Sequence, residues 1–184
     1  MSFAHDTEVG LSEAAALVNT WADGVDSLEN QAGLDVFLQA YPFSGTLLRT
    51  DEELAAVRRL REQLRALWSG VDRDASAAIV NAILAEVAAR PHLSRHDGWD
   101  WHLHMTEPDA PLAQRIGAEA AMGFLELIRE DDLDRLRTCA ADDCEDVLVD
   151  LSKNKSKRYC TTANCGNRTH VAAYRARKRA TVGS

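Results

Sequence analysis

The first 138 residues of this 184-residue chain contain no cysteine, and the first 152 contain no lysine. From Ser152 onward there is no acidic residue. No run approaches the roughly 20 apolar residues of a membrane helix; the longest near the start is Ala14–Val18, so no membrane partner is expected. The opening MSFAHDTEVG has no basic stretch followed by an apolar one, which argues against a secretion signal and for a cytoplasmic protein. The P-loop, the Rossmann glycine fingerprint, G-x-S-x-G and H-E-x-x-H are all missing, and an enzyme is not expected. What is present, 46% hydrophobic and 27% charged residues, excludes disorder throughout.

The formal net charge of −8 averages two unlike pieces. Residues 1–134 hold 10 Lys+Arg and 24 Asp+Glu, a balance of −14, and residues 135–184 hold 11 and 5, a balance of +6. This divides the chain into an acidic part, 1–134, and a basic part, 135–184. Lys153, Lys155, Lys157, Arg158, Arg168, Arg175, Arg177, Lys178 and Arg179 all follow Leu151. Such asymmetry points to a nucleic-acid-binding end, with a solvated basic tail as the alternative.

The cysteines sharpen this. Cys139, Cys144, Cys160 and Cys165 form C-x4-C, fifteen residues, C-x4-C. Two close pairs on a hairpin-length segment can set four thiolates at the corners of one tetrahedron, the arrangement of a closed structural zinc site. Disulfides compete, but nothing points to an oxidising compartment. The spacing therefore predicts one Zn²⁺ per chain. Between the pairs, Val147–Val149 reads as a strand, Ser152–Lys155 as a turn, and Lys157–Tyr159 as the return strand. Gly166 is expected to permit tight backbone around the metal, with Asn167 or Thr169 capping a helix over 170–178. Val171 and Tyr174 would pack that helix on the zinc module beside a stripe of Arg168, Arg175 and Arg179.

Cys139 and Cys144, Val149-Asp150-Leu151-Ser152-Lys153-Asn154, Arg158-Tyr159-Cys160, Cys165-Gly166-Asn167-Arg168 and Tyr174-Arg175-Ala176-Arg177-Lys178-Arg179 occur in that order. This series resembles the CGNR zinc finger over about a quarter of the chain. That module ends a bacterial family described as stress-induced transcription regulators, whose N-terminal part is the ABATE domain. The resemblance implies a treble-like module with the four cysteines as zinc ligands, and binding to double-stranded DNA in a nucleoid-associated, stress-responsive regulator. Lys153 and Lys157 stand where arginines are usual, Tyr159 replaces a tryptophan, and His170 a lysine.

Phosphate neutralisation suits the turn lysines, and the helix arginines can fork onto guanine edges. Arg168 is the exception, expected to bond carbonyls near the zinc. Single-stranded RNA is disfavoured because the module offers only Tyr159 and Tyr174 for stacking.

The acidic part reads as mainly helical, making the fold mainly α with a short β element (α+β). Helices are expected over 12–21, 34–41, 51–68, 73–90 and 111–129. Across Trp99–Thr106 strict alternation predicts a strand with Trp99, Trp101, Leu103 and Met105 on its buried face and His102 and His104 on the other. His92 and His96 lie just upstream; most simply these histidines are the polar side of an exposed strand and loop. The alternatives are a metal site or a ligand pocket lined by Asn19, Trp21, Trp99, Trp101, His102 and His104. An effector bound there, or a homodimer, would give the acidic part its role. Two other readings of the whole are a redox-responsive zinc switch and an interaction module in which the acidic part masks the basic one.

Overall fold

The computed structural model describes residues 3–95 and 100–182. Helix α1 spans His5–Val18 and is followed by the two-residue strands β1 (Trp21–Ala22) and β2 (Val25–Asp26). Helices α2 (Gln31–Ala40), α3 (Asp51–Arg65, extended by a 3-10 turn to Trp68) and α4 (Arg73–Glu86) come next. The ribbon β3 (His92–Ser94) and β4 (His102–His104) precedes α5 (Leu112–Arg129). A 3-10 turn leads into β5 (Leu136–Thr138), then β6 (Val147–Val149) and α6 (Cys165–Val182). The fold is mainly α with short strands and a C-terminal cysteine module, as the sequence indicates. Among the described residues no helix is long and apolar enough to cross a membrane.

Local chemistry sets the helix starts. Asn30, Thr50 and Asp72 accept hydrogen bonds from the amides of Gly33, Glu53 and Ala75, each capping its helix. The Glu53 carboxylate reaches back to the amides of Leu48 and Arg49, so the α3 entrance is closed from both sides. Helices α1 and α2 begin earlier than the apolar periodicity suggests, because their first turns are polar and solvated.

α5 is the central helix, burying Leu112, Ile116, Phe124 and Leu127 against α1, α3 and α4. α1 approaches it closely at two glycines. A Cβ on Gly10 would lie 2.7 Å from the Glu119 carbonyl oxygen, and one on Gly123 would lie 2.6 Å from Leu11 Cγ. Trp68 meets Phe124 edge-on at 5.3 Å.

Two strand expectations change. The β6 partner is β5, upstream, with Leu136 opposite Val149 and Thr138 opposite Val147. Lys157–Tyr159 forms no strand, because the buried Asp150 carboxylate captures the amides of Ser152 and Lys157 and rolls 150–157 into a loop. The histidine segment is strand only over His102–His104, paired with β3. Its apolar face is covered only in part: Met105 is buried and Leu103 packs against the helical core, whereas Trp101 is 63% exposed and Leu93 65%. Alternation reports a pleat, but not whether another layer lies on it. Trp99 and His96 fall outside the described residues.

Candidate metal centre and basic helix

Each cysteine is placed by a different piece of backbone. Cys139 follows β5 and Cys144 precedes β6, and the Cys139 amide donates to the Asp146 carbonyl at 2.8 Å to close the knuckle. The Cys160 amide points at Cys139 Sγ, 3.4 Å away. Asn164 turns the chain with φ +52°, and Cys165 opens α6. All four side chains are buried, and their sulfurs lie within 4.8 Å of one another.

The separations identify the occupant. Cys144 and Cys160 are 3.7 Å apart and Cys160 and Cys165 3.5 Å, far beyond a disulfide bond. Tetrahedral Zn–S bonds of about 2.3 Å require sulfur edges of about 3.8 Å. Electrostatics agrees. Burial pushes the Cys144 thiol up to about 12 and raises Cys160 as well, so the protein alone does not ionise them. A dication does, by supplying the missing charge. Cys165 is lowered because the Arg168 guanidinium donates to its sulfur at 3.2 Å, against the opposing effect of burial.

Comparison with known families matches this geometry. The CGNR zinc finger family matches residues 135–178. A second family, ABATE, described as "Putative stress-induced transcription regulator", matches residues 12–142, well over half the chain. The chain belongs to the ABATE family. No curated protein matches it.

In this ABATE protein the C-G-N-R tetrad divides its work. Cys165 is a zinc ligand. Gly166 is helical rather than a tight turn, and it leaves the Tyr159 ring at van der Waals distance, 3.4 Å from where a Cβ would sit. The tight turn belongs to Asn164, and neither Asn167 nor Thr169 caps the helix, which has already begun at Cys165. Among the described residues Arg168 bonds no carbonyl; it grips Asp143 with both terminal nitrogens, at 3.0 and 3.2 Å, as well as the sulfur. Asp143 had no sequence signal, being one acid among several in the knuckle.

The other basic residues separate by environment. Lys155, at φ +50°, is bound to Asp132 at 2.8 Å and Asp134 at 2.6 Å, and helps hold the Asp132 carboxyl below its usual range. Lys153 and Arg158 are exposed on the loop, and Lys157 is half-buried. Arg175, Arg177, Lys178 and Arg179 are exposed along α6. Val171 and Tyr174 do not pack on the module; they are 38% and 60% exposed beside those cations.

Among the described residues, those considered for a ligand pocket are held by different partners. Asn19 is committed to β6, donating to the Val147 carbonyl at 2.9 Å and accepting from its amide at 2.7 Å. Trp21 lies under the Arg61 guanidinium, and Arg61 forms a bidentate pair with Asp26. The Arg95 guanidinium lies over the Trp101 ring, which is 63% exposed. His104 stacks on His92, Trp99 is outside the described residues, and for His102 only the backbone is described. A cavity of about 120 Å³ lies elsewhere, between α1 and the finger, lined by Ser12, Asn19, Tyr41, Lys157 and Thr161.

Proposed function

We propose that this protein is a transcription regulator that binds double-stranded DNA through α6, with zinc holding that helix in place. One observation carries the reading. α6 starts on a zinc ligand and then exposes Arg175, Arg177, Lys178 and Arg179 beside two uncovered apolar side chains, Val171 and Tyr174. The exposed helix is about 27 Å long at 1.5 Å per residue, a suitable length for a major groove. Lys153 and Arg158 on the adjoining loop supply phosphate contacts, while Lys155 and Arg168 are paired with neighbouring acids and serve positioning instead. With its cations aimed outward and its metal coordinated by four buried thiolates, the protein acts as a binder rather than a catalyst.

The test is charge reversal on α6. Changing Arg175, Arg177 and Arg179 together to Glu abolishes retention on duplex DNA while zinc content per chain stays at the wild-type value. Undiminished retention by that variant overturns the reading.

A further inference from the structure

Three of the six histidines lie on the β3–β4 ribbon, away from the zinc finger and its helix. The antiparallel register sets His92 directly opposite His104, and Ser94 opposite His102. Residues two apart on a strand share a face, so positions 92, 102 and 104 fall on one face of the ribbon. There the rings of His92 and His104 stand 5.8 Å apart, centroid to centroid, with their planes 24° from parallel. Both residues are half-buried, which reduces the rotamer freedom that ligation would remove.

A second observation concerns the protons. His92 Nδ1 lies 3.1 Å from the Arg90 carbonyl oxygen. A carbonyl only accepts, so in this contact Nδ1 is the donor and Nε2 is the nitrogen left to face an ion. Metal-binding histidines are held in this way, one ring nitrogen anchored to a carbonyl or carboxylate and the other turned to the ion.

We propose that this ribbon is a second metal site, separate from the four cysteines, with the cross-strand pair His92 and His104 as its protein ligands. Imidazole-only ligation selects a late divalent transition metal, Zn²⁺, Ni²⁺ or Cu²⁺, over Mg²⁺ or Ca²⁺. Two protein ligands on a two-stranded ribbon leave coordination positions open to water, so this ion exchanges with solution, whereas the buried thiolate site is closed. The ribbon belongs to the ABATE-matched segment. An exchangeable ion there gives the regulator a metal input; that consequence rests on the proposed function, whereas the site itself does not.

The test titrates Zn²⁺ into full-length protein already holding one zinc per chain. A second equivalent binds with micromolar affinity, and both His92→Ala and His104→Ala weaken it at least tenfold while the first zinc remains. Absence of a second equivalent, or one unchanged in the double variant, overturns the proposal. A spectroscopic reading on the wild-type chain makes the outcome independent of variant folding. Zn²⁺ shifts the ring resonances of both His92 and His104; shifts confined to histidines other than these two refute the site. Neither failure bears on DNA retention.

Discussion

Arg168 shows how much one side chain decides at this site. It donates to the Cys165 sulfur and clasps Asp143, tying the first turn of α6 to the knuckle loop. Partners of this kind outside a metal's ligands typically contribute 10–100-fold in metal affinity. Arg168→Ala is therefore expected to lose zinc to a chelator about 10–100 times more readily, as read by competition titration. Loss of DNA binding with zinc affinity intact would make it a DNA contact instead. A place near the metal was legible from C-G-N-R, but its acidic partner, 25 residues away in sequence, was not. Glu13 is a residue the sequence did not flag. Buried against α5, with Glu119 adding like charge, its carboxyl is raised from 4.5 to about 8. The fold therefore binds that proton more tightly than the unfolded chain does. This contribution is complete below pH 4.5 and is lost as pH rises to about 8, at about 1.4 kcal/mol per pH unit. Glu13→Gln should flatten that decline, raising stability relative to wild type at pH 8 in urea melts. Parallel pH profiles for the two proteins would contradict the burial argument.

Among the elements, helices were readable and strand pairing was not. α3, α4 and α5 announce themselves through apolar steps of three and four and through Thr50, Asp72 and Pro111 at their starts. Strands of two or three residues have no period to detect, and their partners are fixed by side chains far away in sequence. β6 is the clearest case. Asn19, at the end of α1, pairs with both polar groups of Val147 as a neighbouring strand would, and the Trp68 indole donates to the Leu148 carbonyl at 3.0 Å. Nothing around Asn19 in the sequence indicates this. Asn19→Ala leaves a buried amide and carbonyl unpaired at about 1–3 kcal/mol each. A loss of about 2–6 kcal/mol is therefore expected in urea denaturation of the zinc-loaded protein, and an unchanged midpoint would show that β6 does not depend on α1.

At the scale of the molecule, the finger is not a bead on a string. Val147 and Val149 are buried in the same core as the helices, whereas the cysteines form a second small core with Ala141 and Tyr159. Arg135, at the expected boundary, is buried and joins Asp132 on one side to the carbonyls of Asp150 and Ser152 on the other. The charge division seen in the sequence is refined in space: neighbouring acids hold Lys155 and Arg168, while Arg175 and Arg179 are exposed on α6. Composition located the basic end, but only the folded geometry shows which cations are already spent. The most direct test of zinc-organised DNA binding is the salt dependence of binding by the zinc-loaded full chain to a short duplex of arbitrary sequence. Between about 50 and 200 mM salt, log K should fall against log salt with a slope of about −4 to −6, corresponding to roughly four to seven phosphate contacts. A slope near zero, or no binding at the lowest salt, would contradict the account.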